Sequence, residues 1–220
     1  MNNKLSTGLQ KQVEEGIAVL KRGGLVAYPT DTVYGLGASI INEDAVRRIY
    51  LVKRRPANMA FPLLLANISQ IGEVAVNVPP LAWFLAARFL PGALTIVLYR
   101  SKSVSDAVTG GSDKVGVRIP AHPVPIALIE GTGAPLIGTS ANLSGQPSAR
   151  TAEEVTRQIG PEIDLIIDGG KVEGGVESTV IDVTLKNPLI LRQGAISKEQ
   201  LENATRSFDP AIEFQASDKK

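Results

Sequence analysis

"APLIGTSANLSG", residues 134–145, runs a short apolar stretch into Thr139, Ser140, Asn142 and Ser144 and closes on Gly145. A brief apolar run bounded by small residues reads as a buried strand. The hydroxyls and backbone N–H groups that follow sit on a tight turn, a form that receives anions and phosphate in particular. Similar apolar runs recur as "FPLLLA", "ALTIVLY", "KVGVRI", "DLIID", "STVIDV" and "PLILR". Helical patterns separate several of them, over 81–89, 125–130 and 151–159, the last opening with Thr151 and Glu154 as a capping pair. Alternation of this kind predicts an α/β domain around a mixed, largely buried sheet.

The N-terminal third fits the same plan. Thr7 and Gln10 are spaced as a capping box, Leu9, Val13, Ile17 and Leu20 share one helical face, and Gly23 and Gly24 stop the helix. "LVAYP" reads as a strand. A second helix starts at Asn42, turns Val46, Ile49 and Tyr50 to one side, and ends before Pro56, because the residue preceding a proline avoids helical dihedrals. Lys53 and Arg55 therefore lie at its end or just beyond.

Composition narrows the function. Twenty-three Lys and Arg against 22 Asp and Glu give a formal charge of +1, so any electrostatic function is local rather than spread over a basic face. The absence of cysteine excludes a disulfide framework, a thiol nucleophile and a Cys-ligated zinc site. The first residues, "MNNKLSTGLQ", carry no apolar run of signal-peptide type, and no stretch is long and apolar enough to span a bilayer. These features predict a cytoplasmic protein without a membrane segment.

Four segments hold more Gly, Ser, Thr and charge than a strand-to-loop transition requires: "YPTDTVYGLG", "KRRP", "GTSANLSGQPS" and "GGVESTV". Arg118 and Arg192 join them at the ends of apolar runs, where a guanidinium offers a bidentate fork to a carboxylate or phosphate, or makes a surface ion pair. The cations of "KRRP" also suit the negative end of a helix dipole, so a structural role stands beside an anion-binding one. Neither a Walker A loop nor a Rossmann fingerprint occurs. His122, the single histidine, sits between prolines as a loop or capping residue, and no Gly-x-Ser-x-Gly elbow accompanies it. Trp83 and Phe84 belong to an apolar helical pattern and are expected in the core. Asp31, Glu177 and Asp182 are the carboxylates near the small-residue segments, but no spacing among them marks a metal cage, and no metal ligand is assigned.

Seven segments then occur in order: "YPTDTVYGLGA", Lys53-x-Arg55-Pro56, "PLLLA", "VGVRIP", "TSANLSG", "ESTVID" and "LRQG". Together they resemble the YrdC-type L-threonylcarbamoyladenylate synthase family, over roughly residues 9 to 196. The resemblance implies a single α/β domain of YrdC/RibB-like architecture, with a twisted mixed sheet, flanking helices and a large concave cavity. It also implies a nucleotidyltransferase that condenses L-threonine, bicarbonate or CO2, and ATP with Mg2+ into threonylcarbamoyl-AMP and pyrophosphate. The product would serve the threonylcarbamoyl modification of adenosine 37 in tRNA through separate transferase proteins, with tRNA contact indirect or weak.

By the same resemblance, Thr32, Arg118 and Ser178 match threonine-binding positions. Arg55, Ser140, Ser148 and Arg192 match ATP-binding positions, Lys53 is the lysine of Lys-x-Arg and is grouped with the ATP site, facing its phosphates, and Asn142 shapes the Ser-Ala-Asn loop and is grouped there too. Lys53 and Arg55 are the candidate catalytic pair. Many members place a threonine-contacting histidine where this chain has Ala66. The catalytic domain is expected over 1–206, in the short single-domain form, with a polar, frayed tail over 207–220. An RNA-binding module, or a paralogue that keeps the cavity without the synthase activity, is the alternative.

Overall fold

The protein is described by a computed structural model over residues 5–216. The helices are α1 (Thr7–Lys21), α2 (Glu43–Lys53), α3 (Ile71–Val74), α4 (Pro80–Phe89), α5 (Asp106–Thr109), α6 (Pro123–Thr132), α7 (Ala152–Ile159) and α8 (Lys198–Thr205). The strands are β1 (Val26–Tyr28), β2 (Gly35–Gly37), β3 (Leu63–Leu64), β4 (Ala75–Val76), β5 (Leu94–Arg100), β6 (Lys114–Arg118), β7 (Leu136–Ile137), β8 (Thr139–Ser140), β9 (Leu165–Ile166), β10 (Thr179–Asp182), β11 (Leu189–Arg192) and β12 (Gln215–Ala216).

The α/β architecture with mixed strand pairing is the expected one, but the strands divide between two sheets. The smaller runs β8-β2-β1-β9, and the larger β12-β11-β10-β5-β6-β3-β7, with β4 pairing β5 beside this path. The segment "PLIGTS" joins them. Its first half, β7, pairs antiparallel with β3 in the large sheet, and its second half, β8, pairs antiparallel with β2 in the small one.

Register on the large sheet separates core from cavity. Side chains alternate across a strand, so Leu94, Ile96 and Leu98 of β5, Val115 and Val117 of β6 and Ile181 of β10 enter the core at 0–1% exposure. The intervening positions, Thr95, Val97, Lys114, Gly116, Arg118, Val180 and Asp182, line a cavity on the opposite face. A second apolar cluster lies between α1 and α6, where Val13, Leu20, Leu128 and Ile129 meet Tyr28 and Leu136.

Several expectations are corrected. The cap of α1 is Ser6, whose hydroxyl accepts from the Leu9 N–H, and not Thr7, which is already helical. Trp83 is 38% exposed rather than core, although its neighbour Phe84 stacks on Phe208 with ring centroids 4.9 Å apart. That contact also shows that the segment from residue 207 does not fray as far as residue 216: Phe214 is buried and β12 extends β11 in parallel. The rest of the expected tail, 217–220, lies outside the described residues. Gly35–Gly37, which carries no strand signal in the sequence, is strand β2, paired antiparallel with β1.

Those two glycines have a steric reason. A Cβ on Gly35 would sit 2.9 Å from Tyr28 Cε2, and one on Gly37 would sit 2.8 Å from the Tyr28 hydroxyl. The Tyr28 ring is fully buried against them and donates to the Ile137 carbonyl at 3.3 Å.

Candidate active site

The cavity has a volume of about 630 Å³. Its floor is the β10-β5-β6 face of the large sheet, and segments 30–35, 53–62 and 138–146 wall it. Of the sequence-predicted site residues, Thr32, Lys53, Arg55, Arg118, Ser140, Asn142, Ser178 and Arg192 all line it. Ser148 stands behind that lining, with its hydroxyl donating 2.8 Å to Glu177 Oε1.

The "KRRP" cations part company at the end of α2. Arg54 caps the helix in the left-handed region, φ 50°, and points to solvent. That turn leaves Lys53 on the buried side. Its ammonium donates to the main-chain oxygens of Ser140 at 2.5 Å and Asn142 at 2.8 Å, and to Asn142 Oδ1 at 3.2 Å. Three acceptors saturate an ammonium, so Lys53 holds the Ser-Ala-Asn loop in shape, with none of its protons left for a ligand. Burial and the nearby Arg55 push its pKa down to about 8, with Glu177 acting in the opposite sense.

Arg55 lies over the Phe61 ring, 4.9 Å from its centroid, and donates to the Ala60 carbonyl at 3.0 Å. Its Nε is buried and has no partner among the described residues.

At the other end of the cavity, Arg118 is fixed from three sides. Nε donates to the Gly92 carbonyl at 2.9 Å, Nη1 to Thr32 Oγ1 at 3.0 Å and Nη2 to Asp31 Oδ1 at 2.7 Å. Thr32 is held in turn by the Thr30 hydroxyl at 3.0 Å. A guanidinium so oriented presents its remaining N–H groups in one plane, which suits a carboxylate.

Ser178 connects the two ends. Its Oγ lies 2.8 Å from Thr95 Oγ1, on the same sheet row as Arg118, and accepts from Arg192 Nη2 at 3.2 Å. Arg192 also donates to the Ser178 carbonyl at 2.9 Å and pairs with Glu177. Each carboxylate considered in the sequence thus has a cationic partner: Asp31 with Arg118, Asp182 with Lys114 at 2.9 Å, and Glu177 with Arg192. Among the described residues no group of three or more His, Asp or Glu side chains is placed to hold a metal.

Two other positions resolve simply. His122 caps α6, with Nδ1 accepting from the Val124 N–H at 3.2 Å. Ala66 does not line the cavity, and its N–H is taken by Gln70 Oε1 at 2.7 Å, so neither its side chain nor its amide faces the candidate site. Sequence reasoning missed Thr95, a lone hydroxyl in an apolar strand; its period-2 offset from Leu94 and Ile96 was a signal, but the register with Arg118 was not.

Comparison with known proteins identifies the family. The Sua5/YciO/YrdC family model, described as telomere recombination, matches residues 18–194. The threonylcarbamoyl-AMP synthase of Pyrococcus abyssi is 45% identical over 183 residues, covering 83% of this chain and 54% of that protein. The enzyme of the same name from Bacillus subtilis is 42% identical over 203 residues, covering 92% and 58%. A crystal structure of P. abyssi Sua5 complexed with L-threonine superposes with a TM-score of 0.87 at 41% identity, covering 92% of this chain and 58% of that one. The chain thus spans a little over half the length of these relatives. Among the described residues no helix is long and apolar enough to cross a membrane. With its family model spanning most of the chain and relatives above 40% identity, the chain belongs to the Sua5/YciO/YrdC family.

Proposed function

We propose that the chain is a nucleotidyltransferase that makes threonylcarbamoyl-AMP and pyrophosphate from L-threonine, bicarbonate or CO2, and ATP. The observation that carries this reading is the meeting, in one cavity, of an oriented guanidinium at Arg118 and a second cationic group formed by Arg55 and Arg192, bridged by Ser178. The relatives' names and the threonine-bound P. abyssi structure support the same assignment.

In this reading the threonine carboxylate docks on Arg118, with Thr32 and Ser178 fixing its polar groups. The amine adds to CO2 and loses a proton, giving a carbamate. A carbamate oxygen then attacks the α-phosphorus of ATP, the P–O bond to the β-phosphate breaks, and pyrophosphate leaves with that electron pair. Arg55 and Arg192 offset the charge that builds on the phosphates, and the Ser140 hydroxyl donates to them, joined by the Ser148 hydroxyl once it leaves Glu177. Lys53 acts one step back, by holding the Ser140–Asn142 loop. No protein nucleophile is required, since alignment of bound reactants is worth up to about 7 to 11 kcal/mol in favourable cases.

Magnesium enters as part of the nucleotide substrate. The carboxylates at the cavity are paired with cations, so the triphosphate's own oxygens and water would hold the metal. The catalytic unit expected over residues 1–206 is completed by the segment as far as residue 216, which packs on it through Phe208 and Phe214. The product would pass to separate transferase proteins acting on tRNA, in the cytoplasm.

The test is an omission series. Purified protein is mixed with ATP, magnesium, L-threonine and bicarbonate, each is left out in turn, and pyrophosphate and the adenylate are followed. The reading predicts pyrophosphate release that needs every component. Salt-dependent RNA binding, with no threonine-dependent turnover of ATP, would overturn it.

A further inference from the structure

We infer that Glu177 is an internal substitute for a phosphate group: its carboxylate engages donors that receive the nucleotide and has to release them when phosphate binds. The inference rests on the reading of the cavity as a nucleotide site. Glu177 Oε1 accepts from Ser148 Oγ at 2.8 Å, and the other carboxylate oxygen pairs with Arg192 Nη1. These two donors come from different segments of the chain, and both are assigned to ATP above. One carboxylate thus holds, within the protein, an arrangement of hydroxyl and guanidinium suited to an oxyanion.

The main chain and side chain of Glu177 are held very differently. Its carbonyl accepts from the Ala195 N–H at 3.0 Å, and Gly194 packs so closely that a Cβ there would lie 2.3 Å from the same oxygen. The backbone is therefore clamped. The side chain is one-third exposed and is anchored only through its carboxylate oxygens, so rotation can free both donors without disturbing β10. Burial raises the Glu177 carboxyl pKa, but Arg192, the Ser148 and Ser140 hydroxyls and Lys53 outweigh it and hold the group below the usual carboxylate range. It is anionic at neutral pH, and an arriving phosphate meets a like charge already in place.

Two consequences follow. Arg192 and Ser148 stay oriented, with the Arg192 charge neutralised, between turnovers. After reaction, return of the carboxylate to Arg192 competes with pyrophosphate and favours its departure. Glu177 is thus a residue that sets phosphate affinity and product release, distinct from those that bind threonine.

The test is calorimetric titration of inorganic pyrophosphate with magnesium into the wild type, Glu177→Gln and Glu177→Ala, with L-threonine titrated as a control and thermal melts confirming the fold. Removing one like charge is expected to tighten pyrophosphate binding about tenfold, the size of a one-unit pKa interaction. Threonine affinity should stay within about twofold, and steady-state assays should show stronger inhibition by added pyrophosphate. Unchanged or weaker pyrophosphate binding in folded variants, with the wild type still binding it, would overturn the inference and leave the nucleotide site standing. Failure of the wild type to bind pyrophosphate or ATP would overturn both.

Discussion

Lys53 reaches Asn142 twice, through the main-chain oxygen at 2.8 Å and the side-chain oxygen at 3.2 Å, from a position only 2% exposed. Lys53 thereby fastens the loop that leaves β8. Asn142 completes the fastening by donating to the Leu143 and Gln146 carbonyls at 3.0 and 2.6 Å.

Lys53→Met should therefore lose stability as well as activity. It strands the carbonyls of Ser140 and Asn142, a cost of about 2–4 kcal/mol on unfolding in urea, because buried acceptors left without donors keep their full desolvation penalty. An unchanged urea midpoint would show that the loop does not depend on the ammonium.

The pKa of Lys53, lowered to about 8 by burial and Arg55, adds a pH signature. Between about 8 and the unfolded value of 10.5 the unfolded chain binds the proton that the folded chain has given up. This group's contribution to unfolding free energy therefore rises with pH across that window. Over the same interval the loop loses a donor, so turnover should fall with an alkaline limb near pH 8. Lys53→Arg stays charged and should move that limb upward; an identical limb in both proteins would assign it elsewhere.

Arg118→Lys should raise the threonine KM at least about tenfold, with a much smaller change in the ATP KM. An ammonium cannot reproduce a planar fork held by Gly92, Thr32 and Asp31 at once, and a lost charge-assisted hydrogen bond costs about 1.5–3 kcal/mol. Equal losses for both substrates would argue against a carboxylate site at Arg118.

Ser178→Ala should raise the threonine requirement more than that for ATP, and Thr95→Val should reproduce part of the effect, since Thr95 Oγ1 lies 2.8 Å from Ser178 Oγ. Initial rates over a grid of both substrates separate the two constants. A threonine dependence unaltered by Ser178→Ala would remove that hydroxyl from the threonine site.

Asp182 carries an acid-limb prediction. Burial raises its carboxyl pKa, but the Thr184 hydroxyl, the Lys114 ammonium and the Thr184 N–H outweigh it and set it below its ordinary value. A depressed carboxyl contributes stability above its unfolded pKa and loses it as pH falls through the folded one. The urea-midpoint gap between wild type and Asp182→Asn should be present at neutral pH and shrink below about pH 4, the ordinary aspartate value. A gap constant down to pH 2 would contradict the linkage.

The α/β alternation and both capped helices, α2 at Asn42 and α7 at Thr151, were legible because apolar periodicity and caps are local properties. Strand β2 was not, because glycine has no strand preference of its own and the need for Gly35 and Gly37 arises from Tyr28 on the neighbouring strand. The residues that line the cavity were legible as a set of motifs, but their partners were not. Arg192 and Glu177 are fifteen positions apart, Lys53 and Asn142 eighty-nine, and nothing local in either segment encodes the pairing. The packed segment around Phe214 escaped for the same reason: its polar composition conceals one aromatic anchor.

The most direct measurement is a crystal structure of the protein grown with L-threonine and a non-hydrolysable ATP analogue. The account predicts the threonine carboxylate within hydrogen-bonding distance of Arg118, and phosphate oxygens on Arg55 and Arg192, with both molecules in the same cavity. Threonine and nucleotide on separate surfaces, or either one bound away from these arginines, would contradict it.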